Sequence, residues 1–142
     1  QPAAFIAWAA KDPNSAPLQR LQIIKGWVQD GQIHEKVYDI ACADNMEIDS
    51  VSHRCANNNA NVDLEKCSVS PELGAAELKS RWVDPEYDSA QHAFYYVRAI
   101  ENPSCRWSTW DAIRAGVEPR SDLPATIQER GWSSPIWFIP PQ

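Results

Sequence analysis

LQRLQIIKGWVQDGQIHEKVYDIAC, residues 18–42, is the stretch that decides the fold. In residues 18–29 successive side chains fall on opposite faces with the period of two that is typical of a β-strand. One face carries Leu21, Ile23, Lys25 and Trp27, and the other carries Arg20, Gln22, Ile24, Gly26 and Val28. Neither face is cleanly polar. Asp30 and Gly31 then form a dipeptide that strongly favours a two-residue hairpin turn, and residues 33–42 return as the antiparallel partner.

Further strands are predicted on both sides of this hairpin. Phe5–Ala10 is a short apolar run that ends in a turn cluster. Asp88–Glu101 gives the clearest alternation, with Phe94, Tyr96, Arg98 and Ile100 on one face. Thr126–Ser133 and Ile136–Ile139 are the last strands, separated at Pro135. For residues 72–83 a helix is favoured by propensity, while a strand or short turn is about equally likely, so the type of this segment stays open.

One short helix interrupts the β-rich order. Residues 108–115 read as helical, with Ser108 as the expected N-cap and Gly116 as the stop. About seven short strands with turns between them predict a mainly β fold: an antiparallel β-sandwich, with an immunoglobulin-like arrangement as one form of it, one short helix and a long disulfide-tied loop.

Length and charge limit the function classes. A chain of 142 residues fits a single β-rich domain, residues 1–142, that buries roughly two thirds of its unfolded surface. The net charge is −6 and the 13 Lys and Arg are scattered, so nucleic acid and anionic membranes are not expected partners. No apolar run approaches the ~20 residues of a membrane span.

The four cysteines predict disulfides. Cys42, Cys55, Cys67 and Cys105 are widely spaced and contain no C-x-x-C, which favours disulfides in an oxidising compartment over zinc or redox chemistry. Three pairings are possible. We favour Cys42–Cys55, which closes a local loop, and Cys67–Cys105, which ties the long 43–71 loop to the segment after the 88–101 strand.

No catalytic or metal-binding motif stands out. His34, His53 and His92 are far apart and form neither H-x-H nor H-E-x-x-H. The acidic stretch 44–49 lacks the features of an EF-hand and is interpreted as a solvated loop. There is no G-x-S-x-G or glycine-rich phosphate loop in the sequence. The chain is therefore expected to be non-catalytic and to carry no cofactor.

The tryptophans leave two interpretations. Trp with Arg is typical of a core or domain interface, whereas aromatic faces also form sugar-stacking platforms. For Glu129 and Arg130, an ion pair that orients the last strands is weighed against a role in completing a cleft. The residues proposed for binding or a domain interface are Trp107, Trp110, Arg114, Glu129, Arg130 and Trp132.

Seven stretches also carry a family resemblance: APLQRLQIIKGW (16–27), HEKVYDI (34–40), GAAEL (74–78), AFYYVRAIE (93–101), RWSTWD (106–111), ATIQER (125–130) and SPIW (134–137). Through them the chain resembles domain-of-unknown-function family 3604, a bacterial family similar to PHP-type metal-dependent hydrolases.

The resemblance implies a C-terminal fragment of a larger protein. That protein would be periplasmic or secreted, with a divalent metal bound in an N-terminal domain that would be this module's partner. The family's histidine-rich motifs are absent from this sequence, so the resemblance implies a non-catalytic β-sandwich that supports or completes the parent domain. A carbohydrate- or peptide-binding module that uses the Trp cluster is the alternative. The parent's substrate and the oligomeric state stay open.

Overall fold

The structure is a computed structural model that describes residues 2–140. The outermost residues of the predicted 1–142 domain, residues 1, 141 and 142, lie outside the described range. The elements are β1 (Ala4–Ala10), β2 (Leu18–Gln29), β3 (Gln32–Cys42), β4 (Val62–Asp63), β5 (Ser68–Val69), β6 (Glu77–Val83), β7 (Ala93–Glu101), β8 (Ser104–Cys105), α1 (Trp107–Ala115), β9 (Thr126–Ile127), β10 (Arg130–Trp132) and β11 (Ile136–Phe138).

The predicted hairpin lies at the centre of the fold. β2 pairs antiparallel with β3 from Gln29–Gln32 back to Arg20–Cys42. Asp30 and Gly31 have φ values of 50° and 74°, the left-handed conformation that a type I′ turn requires at both central positions. The hairpin prediction is confirmed.

A five-stranded antiparallel sheet grows from this hairpin. Its strand order is β10-β7-β2-β3, and β11 pairs with β7 beyond β10. β7 starts at Ala93 rather than at residue 88, because Asp88 accepts a hydrogen bond from the Ala90 backbone in a local turn. The predicted strand 126–133 is divided into β9 and β10, since the chain leaves its pairing with β8 and joins β7.

A two-stranded ribbon forms the second layer. β1 pairs antiparallel with β6 and packs on one side of the large sheet. Phe5 of β1 lies 4.8 Å from Tyr95 between ring centroids, and Trp82 of β6 lies 5.0 Å from Tyr38. The prediction of a mainly β fold with two layers is confirmed. Residues 72–83, for which the sequence left the type undecided, contain the strand β6. The second layer has only two strands, fewer than an immunoglobulin-type sandwich places there.

Two disulfides order the long loop. Cys42 is bonded to Cys55 and Cys67 to Cys105, as predicted. The loop also contains the small β4–β5 hairpin, with Cys67 in its turn. Asn58 is buried and holds the loop to the body, because it accepts from Gln19 and donates to Asn102, both at 2.9 Å.

The helix begins differently from the prediction. Its N-cap is Arg106, without a side-chain cap, and Ser108 lies inside the first turn, so the Ser108 cap was wrong. Arg106 is already fixed, because its backbone N–H donates to the Ala125 carbonyl at 3.0 Å next to the Cys67–Cys105 disulfide. Gly116 ends the helix in the left-handed conformation, as predicted, at φ 65°.

Candidate functional site: the outer face of the large sheet

The large sheet has two faces with different surroundings. Directly opposed residues of an antiparallel pair share a face, so the strand register assigns every side chain to one of them. The inner face, under the β1–β6 ribbon, is the core and includes Leu21, Ile23, Tyr38 and Tyr95. Among residues 2–140 no second sheet lies over the outer face, and the loop residue Cys55 bonds to Asp39 near its β3 side.

Four aromatic side chains share the outer face, and we call them the aromatic row: Phe94, Tyr96, Trp132 and Trp137. Phe94 and Tyr96 stack with ring planes 9° apart, and Trp137 lies 5.1 Å from Phe94 between centroids. Trp132 and Trp137 are 61% and 64% exposed. A solvated sheet face is normally polar, so this row marks a surface suited to contact with another molecule.

Gly26 allows the Phe94 ring to approach the sheet closely. A Cβ built on Gly26 would meet the Phe94 ring at 2.3 Å, and that atom is absent only in glycine. The Phe94 ring therefore lies directly over the backbone of β2. Beside it, Ile24 is completely buried although no second layer covers it.

A hydrogen-bonded polar chain crosses the outer face next to the aromatic row. Arg98 Nε donates to Gln22 Oε1 at 2.7 Å, and Gln22 Nε2 donates to Asp39 Oδ1 at 2.6 Å. The other Asp39 oxygen accepts from the Cys55 backbone N–H at 2.7 Å. Because Gln22 and Asp39 are buried, the chain fixes the direction of the Arg98 guanidinium.

Two more arginines lie on the same face, at the strand position two residues beyond Arg98. Arg20 and Arg130 both lie opposite Ile100, on β2 and β10 respectively. Arg20 Nη1 is 4.0 Å from Asp39 Oδ2, and its Nε is buried without a hydrogen-bond partner among the described residues. Arg130 is exposed and donates only weakly, at 3.4 Å, to the Gln128 carbonyl. We call Arg20, Arg98 and Arg130 the arginine end.

A polar pocket adjoins the arginine end. The residues that line it are Gln19, Arg20, Cys55, Asn57, Ala60, Pro103 and Gln128. Gln128 Nε2 donates to Gln19 Oε1 at 3.0 Å, which connects the start of β2 to the segment before β10. The pocket offers guanidinium, amide and carbonyl groups and no apolar wall of any size, so it suits a polar or charged group.

The helix carries a second, separate aromatic surface. Trp107 and Trp110 are 72% and 37% exposed, and the Arg114 guanidinium carbon lies 5.3 Å from the Trp110 ring centroid. Only Thr109 and Ala112 of α1 are buried. No aromatic pair in residues 2–140 joins these tryptophans to the aromatic row. The predicted Trp cluster is thus two surfaces, one on α1 and one on the sheet.

Glu129 and Arg130 do not form the predicted ion pair. Neighbouring residues of an extended chain point to opposite sides, and Arg130 instead donates to the Gln128 carbonyl. Within residues 2–140 no ion pair joins these two side chains to each other. Both side chains remain exposed at the sheet edge.

A buried polar network on the inner face was not predicted. Lys25 Nζ lies 2.7 Å from Asp84 Oδ2, with both side chains almost fully buried, and Tyr95 OH donates to the same oxygen at 2.7 Å. Burial, followed by the bond to Asp84, raises the pKa of Tyr95. Hydrogen bonds from Lys36 and Tyr38 lower the pKa of the nearby Glu86. The network is fully satisfied, which is typical of a structural role.

Residues 2–140 contain no group of three or more His, Cys, Asp or Glu side chains placed to hold a metal ion. In the acidic stretch, Asp44 accepts from the Gly74 backbone and Asn58, whereas Asp49 accepts from Ser52. Within that range no helix is long and apolar enough to cross a membrane.

Over residues 1–140 the sequence matches the family described as Protein of unknown function (DUF3604). The chain belongs to the DUF3604 family. The description assigns no activity to the family. No curated protein and no solved structure matches the chain.

In this DUF3604 chain the sequence predicts part of the outer-face site, through the alternation of side chains in β7 and not through the tryptophans. The alternation of β7 places Phe94, Tyr96 and Arg98 together, but their neighbours Trp132 and Trp137 come from strands over thirty residues later. Only the register of those short strands with β7 brings them to the same face. Arg20 and Gln22 join through the β2–β7 pairing.

Proposed function

We propose that this chain is a non-catalytic accessory module of a larger protein and that it docks on the rest of that protein through α1. The observation that carries the proposal is the exposed surface of Trp107, Trp110 and Arg114, on a helix that buries only two of its nine residues. A helix with two exposed tryptophans presents apolar area that a partner would cover. Trp and Arg are also the residues that most often dominate binding energy at interfaces.

The larger protein in this proposal is bacterial, exported and PHP-like, with its divalent metal outside residues 1–142. The two disulfides support export, since such bonds persist in oxidising compartments. The family resemblance supports the PHP-like class, and the module's role would then be to stabilise the metal-bearing domain or complete its cleft. The proposed location is the periplasm or the extracellular medium.

A tryptophan comparison tests the docking proposal. Trp110→Ala should cost the isolated chain under about 1 kcal/mol, because the ring is partly exposed, and should weaken the thermal stability of the full-length protein. The matched control is Trp82→Ala, which removes a ring packed on the core and should destabilise the isolated chain by about 3–5 kcal/mol. An equal loss for Trp110→Ala in both forms would reject α1 as the docking surface.

A catalytic test separates the accessory role from an activity of this chain. The purified chain should not hydrolyse phosphoesters with added Mn²⁺ or Zn²⁺. Metal-dependent turnover that follows the protein through purification would overturn the non-catalytic proposal.

A second candidate function is carbohydrate binding by the aromatic row. The specific observation in its favour is the aromatic row itself, with two rings more than 60% exposed, beside fixed polar groups on one sheet face. Sugar rings bind to such surfaces through their apolar faces, while hydroxyl groups bond to the polar neighbours. An extended peptide is the competing ligand.

A glycan array tests the second candidate. Binding should be lost in Trp132→Ala and Trp137→Ala and kept in Trp8→Ala, a control on the other layer that removes a tryptophan of similar exposure, 68%. Retained binding in both aromatic-row variants would exclude this surface.

A further inference from the structure

We propose that the ligand of the outer face is an acidic polysaccharide whose carboxylate or sulfate groups are bound by the arginine end. This inference rests on the second candidate function, carbohydrate binding by the aromatic row. It adds the chemical class of the sugar and assigns Arg20, Arg98 and Arg130 to binding.

The distribution of charge is the first argument. The whole chain carries a net charge of −6, yet three arginines converge on one end of the outer face. Asp39 is the carboxylate that contacts this end, and it also lies 3.4 Å from Arg54 Nη1, so positive charge exceeds negative charge locally. The Asp39 side chain is fully buried, and both of its oxygens already accept hydrogen bonds. This region therefore attracts anions, in contrast to the protein as a whole.

Unused donors are the second argument. Arg98 bonds through Nε alone, so both of its terminal NH₂ groups have no hydrogen-bond partner among residues 2–140. Arg130 has only the weak bonds to the Gln128 carbonyl. Guanidinium groups bind carboxylate and sulfate through two parallel N–H bonds. Because Gln22 and Asp39 already hold Arg98 in place, binding through it costs little side-chain entropy.

The arrangement along the strands is the third argument. Arg20 and Arg130 flank Ile100, and Trp137 lies opposite Phe94 at the other end of β7. Six residues of strand separate these positions, about 20 Å at the usual rise. A chain of several sugar rings reaches from the aromatic row to the arginine end, whereas a single small anion would use only one of them.

The same arrangement disfavours nucleic acid as the ligand. A nucleic acid carries a phosphate at every residue and needs positive charge along its whole track. Here the positive charge is confined to one end, and Glu35 lies opposite Gly26, beside Phe94, at the aromatic end.

Binding measurements with matched charged and neutral sugars test the inference. The acidic probes are oligomers of galacturonate, mannuronate and a sulfated hexosamine chain, measured by calorimetry in the presence of a chelator. The neutral probe is the galacturonate oligomer with every carboxyl group methyl-esterified. At least one acidic oligomer should bind about tenfold or more tightly than the neutral one, and its affinity should fall as salt is raised.

Substitutions of single arginines test which residues bind the anionic groups of the sugar. Arg130→Gln should weaken binding of the acidic oligomer by about tenfold and reduce its preference over the esterified oligomer, because Arg130 is exposed and supplies a guanidinium group. Arg81→Gln, an exposed arginine on the ribbon, is the control and should change neither. Arg98→Lys should also weaken binding, since lysine keeps the charge and loses the planar fork.

Different binding results distinguish the acidic-sugar inference from the carbohydrate-binding proposal on which it rests. Equal binding of acidic and esterified oligomers, lost in Trp132→Ala, would overturn the inference and leave the aromatic row as a platform for neutral sugars. No binding of any sugar at millimolar concentration would overturn both. Binding of polyglutamate or an oligothymidylate as tight as that of the best acidic sugar would overturn the assignment to a carbohydrate.

Discussion

The two faces of the large sheet are built from the same strands, but their apolar side chains are buried by different means. On the inner face, Leu21, Ile23 and Tyr95 are buried because the β1–β6 ribbon lies over them. On the outer face, Ile24 is equally buried although no second layer among residues 2–140 lies over it, beside the parallel Phe94 and Tyr96 rings. A sheet can thus cover its own centre with aromatic side chains, and the covering rings then become a surface.

The largest difference between the two faces is expected at the buried Lys25–Asp84 ion pair of the inner face. Lys25→Met should destabilise the chain by about 3–5 kcal/mol, because Asp84 would keep its negative charge in the core without its cation. Urea denaturation followed by circular dichroism measures the loss. Lys79→Met, at a side chain that is 73% exposed, is the control and should change stability by less than about 0.5 kcal/mol. A loss below about 1 kcal/mol would contradict a stabilising role for the Lys25–Asp84 ion pair.

Truncation of one side chain on each face comes next. Ile23→Ala should cost about 2–5 kcal/mol, as is typical for a fully buried aliphatic residue in a close-packed core. Trp137→Ala removes a larger side chain but should cost less than about 1 kcal/mol, because 64% of it is exposed. Equal costs in chemical denaturation would show that the aromatic row is core and not a free surface.

A smaller loss of stability is expected at Gly26, the residue of the outer face over which the Phe94 ring packs. Gly26→Ala should cost about 1–3 kcal/mol and push the Phe94 ring off the sheet, since the new Cβ would overlap it. The displacement is measurable as a change in ring-current shifts of Phe94 and Trp137. Gly131→Ala is the control, since a Cβ there meets nothing within 4 Å. An unchanged Phe94 in Gly26→Ala would contradict the close packing.

The smallest expected effect is the pH dependence from Glu86. Hydrogen bonds from Lys36 and Tyr38 lower its pKa in the folded state, so its stabilising contribution is present above the ordinary Glu pKa and is lost as the pH falls through the lowered value. The side chain is 51% exposed, so we expect less than about 1 kcal/mol. Glu86→Gln should flatten this part of the acid unfolding curve, and Glu65→Gln, an exposed control, should not. Identical curves for wild type and Glu86→Gln would refute the linkage.

Local patterns of the sequence predict the fold well where the determinants are close along the chain. Asp30 and Gly31 set the hairpin, Gly116 ends the helix, and the disulfide loops follow from cysteine spacing. The helix start was wrong because Arg106 is held by a distant carbonyl, that of Ala125, and not by a local cap.

The candidate site was predictable only in part for the same reason. The alternation in β7 predicts that Phe94, Tyr96 and Arg98 share a face. Trp132 and Trp137 join them through strands of three residues, too short for any period to show in the sequence. The Lys25–Asp84 pair spans 59 residues, and nothing near either residue in the sequence indicates it.

The ribbon has a consequence for the order in which the chain folds. β1 pairs with β6, from Ala4–Val83 to Ala10–Glu77, so its hydrogen bonds close across most of the first eighty residues. The β2–β3 hairpin closes across two residues, and loop entropy makes such local pairing far faster. We therefore expect the hairpin to form early and the ribbon to dock late, which leaves the inner face open during refolding. In that interval Leu21, Ile23 and Tyr95 would be exposed to other chains, and self-association should be greatest when refolding is slow and the protein concentrated.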